Sequence, residues 1–86
     1  MTQFPQIHSN GTSGEVLFKE YVTALDAVED AITAVCDITC HGRDYYTISS
    51  SAAETAAREM QVRLVALTKI KDELEAIMAN IYEQLR

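Results

Sequence analysis

Glycine is scarce in this chain of 86 residues, which has only three, Gly11, Gly14 and Gly42. So little glycine leaves no material for a shaped catalytic loop, and no glycine-rich phosphate loop of the P-loop type is present. Cysteine is limited to Cys36 and Cys40, which lie within one turn of each other on a helical pattern. A disulfide between them is disfavoured, because one helical turn holds the two Cα atoms near the upper limit for bridging. No run of about 18 apolar residues occurs, so no segment is expected to span a membrane. The stretch from Met1 to Gly14 carries no basic region and no apolar run, so no secretory signal is read there. Reduced thiols and a cytoplasmic location are the corresponding expectation. Strand-type alternation is missing throughout, and the length suits one small domain.

Cations are also in short supply. Seven Lys and Arg stand against 13 Asp and Glu, for a net charge of −6. The imbalance is local. Residues 14–39 hold Glu15, Glu20, Asp26, Glu29, Asp30 and Asp37 against Lys19 alone, whereas residues 50–86 are close to balance. Such an acidic helix face repels DNA and anionic lipid, so neither is an expected partner. Any anionic ligand needs a local cationic pocket.

What is present is helical periodicity. Residues 1–13 are polar and turn-rich, with Pro5 and Asn10-Gly11, and read as an extended N-terminal arm. Phe4 and Ile7 are its large apolar groups, able to pin it to a neighbour. Residues 14–86 read as a two-helix hairpin. Helix 1 is expected over about 14–40, a linker over 41–50 and helix 2 over about 51–85. Thr12 or Ser13 supplies an N-cap hydroxyl for helix 1, and Gly42 is its expected breaker. Leu17, Phe18, Tyr21, Val22, Leu25, Val28, Ile32 and Val35 cover one broad arc of helix 1, wider than one partner helix can cover. In helix 2, Met60, Leu67, Leu74 and Ile81 recur at heptad spacing, with Leu64, Met78 and Leu85 at the alternate seam position and Lys71 as a polar intruder. Ser51 followed by Glu54 has the form of a capping box. The expected fold class is all-α: a long helical hairpin that self-associates into a helical bundle oligomer, since a lone hairpin cannot cover both apolar stripes.

The chemistry-bearing residues gather between the helices. His41-Gly42-Arg43-Asp44-Tyr45-Tyr46 sets an imidazole, a guanidinium, a carboxylate and two phenols in one short segment. Arg can grip a phosphate through two parallel hydrogen bonds, and a Tyr ring can stack on a base. The competing structural role has Arg43 capping the last carbonyls of helix 1, Asp44 pairing with Arg43, and the tyrosines covering an open bundle end. Cys36, Cys40 and His41 match no zinc spacing, so no metal is expected; Cys36 reads instead as a small buried side chain and Cys40 as a helix-end residue. Cys40-His41 has no accompanying oxyanion loop, and the acidic group Asp26, Glu29 and Asp30 lacks the Glu-x-x-His of di-iron bundles. The chain is therefore not expected to be an enzyme or to carry a cofactor.

Gly42-Arg43-Asp44-Tyr45-Tyr46, with His41 in place of Asn, resembles the linker of a loose group of small helical proteins from phage, prophage and plasmid contexts. Those proteins have a short apolar helix, an Asn-Gly-Arg-Asp-Tyr-Tyr-like linker and a longer charged helix. The similarity covers roughly residues 10–80 and includes Asn10-Gly11-Thr12-Ser13 upstream. The tyrosines are followed here by Thr47-Ile48-Ser49-Ser50 in place of the group's Pro-Gln-Gly-Pro-like stretch. The resemblance implies a mobile-element origin and the host-cell cytoplasm. By looser analogy, small helical phage oligomers include sponges for cyclic-nucleotide or ADP-ribose-type immune signals. On that expectation Arg43 binds phosphate, Tyr45 or Tyr46 stacks on a base, Asp44 accepts from an amine or ribose hydroxyl, His41 adds an imidazole, and Thr12 and Ser13 add an anion site at the start of helix 1. The alternatives are an acidic protein-interaction module, docking a basic partner through Asp26, Asp30 and Asp37, or a purely structural bundle subunit.

Overall fold

The computed structural model describes residues 2–86. The fold is all-α. Helix α1 spans Gly14–Cys36, a 3₁₀ turn spans Gly42–Asp44, and helix α2 spans Ala52–Leu85. The two helices pack against each other as a hairpin. No strand occurs among the described residues.

Helix α1 stops at Cys36 and does not continue to residue 40. Three local features end it early. The Asp37 carboxylate sits at the negative end of the helix dipole, and no basic residue in the last turn offsets it. Ile38 and Thr39 are β-branched and weaken the next turn. The chain then tightens, with the Ile38 N–H donating to the Val35 carbonyl at 3.2 Å. Gly42 is not the helix breaker: it opens the 3₁₀ turn, and its φ is not positive. At the other boundary, Ser51 is the N-cap of α2 but makes no side-chain cap bond, so the capping box with Glu54 does not form. Glu54 instead pairs with Arg58 at 2.9 Å.

The helices are unequal, at 23 and 34 residues. At the helical rise these are about 34 and 51 Å long. Their far ends are level, because the start of α1 packs on the end of α2. There Gly14 is buried, and a Cβ on it would lie 2.5 Å from Leu85 Cδ2. A side chain larger than hydrogen would push α1 off α2 at this point or displace Leu85. The Phe18 and Tyr82 rings pack nearby, with centroids 6.2 Å apart and planes tilted by 43°.

The N-terminal arm folds back on the same end of the hairpin. Gln84 holds it through its amide. Gln84 Oε1 accepts from the Ile7 backbone N–H at 2.8 Å, and Gln84 Nε2 donates to the Pro5 carbonyl, also at 2.8 Å. A third bond, to Asn80 Oδ1 one turn earlier, orients the amide.

Little is buried. Among the described residues the hydrophobic core is Leu25, Ile77 and Ile81, and only Ile81 is fully enclosed, at 0% exposure. The helix 2 stripe faces α1 but Met60, Leu64, Leu67, Leu74 and Met78 stay half-buried, as do Phe18, Tyr21, Val22, Val28 and Ile32 on α1. The molecule measures 61 × 22 × 18 Å, with a radius of gyration of 18.7 Å. A compact chain of this length has a radius near 12 Å. Its accessible surface is 6497 Å². A folded monomer of this mass exposes about 5,100 Å². The hairpin thus carries roughly 1,400 Å² more surface than a compact fold of its size.

Candidate functional site

The linker is a short, internally bonded knot. His41 caps the 3₁₀ turn: its Nδ1 accepts from the Arg43 backbone N–H at 3.0 Å. That bond uses Nδ1 as an acceptor. The Asp44 N–H donates to the His41 carbonyl at 3.0 Å, and the N–H groups of Tyr45 and Tyr46 both donate to the Gly42 carbonyl, at 3.0 and 3.1 Å. One further turn closes where the Ile48 N–H reaches the Tyr45 carbonyl at 2.9 Å. Backbone and imidazole therefore satisfy the loop without using its charged side chains.

Those side chains face water. His41, Arg43 and Asp44 are exposed, Tyr45 is half-buried, and Tyr46 is 74% exposed. Among the described residues the ion pairs are Arg58–Glu54, Lys71–Glu75 and Arg86–Glu83, and Arg43 and Asp44 enter none of them. The Arg43 guanidinium makes no hydrogen bond to a helix carbonyl, so it does not cap α1. An exposed cation thus lies three residues before an exposed aromatic side chain, and among the described residues no hydrogen bond or ion pair engages the cation.

The other two residues assigned to this group lie elsewhere. Ser13 is the N-cap of α1, with φ −53° and ψ 135° and no side-chain cap bond, and Thr12 precedes it. The whole of α1 separates them from the linker, about 34 Å of helix. Within one protomer Thr12 and Ser13 do not share a site with His41, Arg43, Asp44, Tyr45 and Tyr46. Sequence proximity to a helix start suggested an anion site, but an antiparallel hairpin sends that start to the opposite end from the linker.

Cys36 and Cys40 are both free thiols and both exposed. Cys36 was expected to be buried; it is instead the last residue of α1 and exposed. Among the described residues, no group of three His, Cys, Asp or Glu side chains is arranged to hold a metal ion. Asp26, Asp30 and Asp37 are exposed on α1.

Two features had no clear sequence signal. One is the Gln84 clamp on the arm, which reads backbone groups of Pro5 and Ile7 and so leaves no pattern in their side chains. The other is a shallow groove on the outer side of α2, lined by Gln61, Leu64, Val65, Thr68, Lys69 and Asp72. Val65 in its wall is 66% exposed, and Val62, on the same side of the helix, is 67% exposed. The helix wheel does show both valines off the main stripe, and that was the available clue. Neither a family model, nor a curated protein, nor a solved structure matches the chain, so its geometry and chemistry carry the functional reading.

Proposed function

We propose that this chain is a non-enzymatic, homo-oligomeric helical binding protein: two hairpins join their half-covered apolar faces in a four-helix bundle, and the assembly works by binding. The observation that carries this reading is the unburied surface. An excess of roughly 1,400 Å² over a compact fold is more than the ~800 Å² that each partner hides in a standard interface. The residues that remain half-buried are the heptad stripe of α2 and the broad arc of α1, which are the groups a bundle would enclose. Leu67→Asp tests it. A charge in the bundle seam costs several kcal/mol, so the variant should scatter light as a smaller species or lose helicity. An unchanged mass and unchanged helicity in Leu67→Asp would reject the bundle.

A second reading concerns what the assembly binds, and it is supported by the unpaired Arg43 next to the exposed Tyr46. Here the linker sequesters a nucleotide-like signal, a cyclic nucleotide or an ADP-ribose-type molecule, and the resemblance to phage-borne proteins gives this a role against a bacterial defence. Arg43 grips phosphate, a tyrosine ring stacks on the base, and the ligand is released intact on denaturation. A charge-assisted bidentate contact is worth about 1.5–3 kcal/mol, or roughly tenfold to a hundredfold in affinity. Thermal-shift titration with cyclic dinucleotides and cyclic ADP-ribose isomers should raise the melting temperature of the native chain. Arg43→Ala should abolish most of that shift and leave helicity intact. No shift with any of these ligands removes the reading.

A further inference from the structure

The outer side of α2 carries a second heptad-like stripe that the bundle leaves free. Arg58, Val62, Val65, Lys69 and Asp72 follow one another at spacings of four, three, four and three residues. That spacing keeps all five on one face of the helix. The stripe lies across the helix from the Met60–Leu67–Leu74 seam, and every member is exposed. Two bare valines on the solvent side of a helix are unexplained by the hairpin itself. Val65 also lines a shallow groove, which runs from this face toward the seam residue Leu64.

The charges on the stripe are placed symmetrically. Arg58 lies seven residues before Val65, and Asp72 lies seven residues after it. A two-fold axis through Val65, pairing α2 antiparallel with α2 of a second copy, therefore sets each Arg58 opposite the other copy's Asp72 position. The same axis sets Val65 against the other copy's Val65, with Val62 of each copy against Thr68 of the other on either side. A parallel pairing would oppose Arg58 to itself, Lys69 to itself and Asp72 to itself, and like charges in register repel. Arg58 is free to make the new contact. Its present partner Glu54 is on the same helix, and both side chains are largely exposed, at 69% and 75%, so that pair holds it weakly.

We infer that the outer face of α2 is a self-complementary docking surface for a second copy of this chain, antiparallel and centred on Val65. An isologous contact of this kind has the same patch on both sides. Combined with the inner seam it gives each hairpin two distinct faces for association. The inference does not depend on the bundle, since the outer stripe and the inner seam use opposite sides of α2.

The test places a cysteine on the axis. In a full-length Cys36→Ser, Cys40→Ser background, Val65→Cys should be captured as a covalent dimer by a short bismaleimide. Capture should be at least about tenfold faster than for Val16→Cys, an exposed position on α1, because docking raises the effective thiol concentration. Adding Arg58→Asp should slow capture by roughly three- to tenfold, as two symmetry-related pairs are lost. Asp72→Arg alone should do the same, and the Arg58→Asp, Asp72→Arg combination should restore the rate. All these positions are exposed, and circular dichroism of each variant checks that helicity is retained. Equal capture at positions 65 and 16 would overturn the inference, as would a double charge exchange no faster than either single change. The bundle fails by a different result, an unaltered mass together with unaltered helicity in Leu67→Asp.

Discussion

Ile81→Ala is the sharpest test of how this hairpin is held together. Among the described residues Ile81 is the one fully enclosed side chain, at 0% exposure, and with Leu25 and Ile77 it makes up the hydrophobic core. Truncating a buried Ile to Ala costs about 2–5 kcal/mol, the lost transfer energy plus the cavity left behind. Ile81 sits in the penultimate turn of α2, where the Leu85 end can settle inward, so about 3 kcal/mol is the expected loss. A domain of this size has a total stability of roughly 4–13 kcal/mol, and so small a core puts it toward the lower end. The substitution should therefore remove a large share of the stability and lower the melting temperature by roughly 12–24 °C. Ile48→Ala is the matched control. Ile48 is 73% exposed in the linker, and its truncation should change stability by no more than about 0.5 kcal/mol. Urea unfolding followed by circular dichroism, at one fixed protein concentration, reads both. If Ile81→Ala falls within about 1 kcal/mol of Ile48→Ala, the packing of α1 on the end of α2 is not what holds the hairpin.

Two other substitutions probe local devices. Gln84→Ala removes both anchors of the arm, at Ile7 and Pro5; since the site is exposed, water replaces them and the cost should be only about 0.5–1.5 kcal/mol, but the Ile7 amide should exchange faster and the arm should become cleavable by protease. An unaltered Ile7 exchange rate would show that the clamp is not what docks the arm. Gly42→Ala should be neutral or stabilise by up to about 1 kcal/mol, because a Cβ there meets open space and φ is not positive; a clear destabilisation would contradict the 3₁₀ geometry of the linker.

The hairpin was legible in the sequence because its signals are periodic and redundant. The heptad of Met60, Leu67, Leu74 and Ile81 survives any one exception, and Lys71 is tolerated in it by leaning out to Glu75 at 3.6 Å. The end of α1 was less legible. Gly42 is the conspicuous breaker, yet the helix had already stopped, through Asp37 at the wrong end of a dipole and two β-branched residues. These are weak, additive effects without a single marker. The linker chemistry could be read as composition, but not its use: only the structure places His41 on the Arg43 N–H and leaves the Arg43 guanidinium without a protein partner. Thr12 and Ser13 were joined to that group by residue type, and the antiparallel chain path separates them. The Gln84 clamp acts on backbone atoms nearly a full chain length away, a relation that residue patterns do not encode.

We propose that the lone hairpin is incomplete and that a second copy completes it. Sedimentation equilibrium across a dilution series, with helicity recorded by circular dichroism at each concentration, tests this most directly. The account predicts a mass at least twice that of the 9.6 kDa chain at micromolar concentration, with helicity and melting temperature falling together as dilution releases protomers. A monomeric mass with full helicity at every concentration would contradict it.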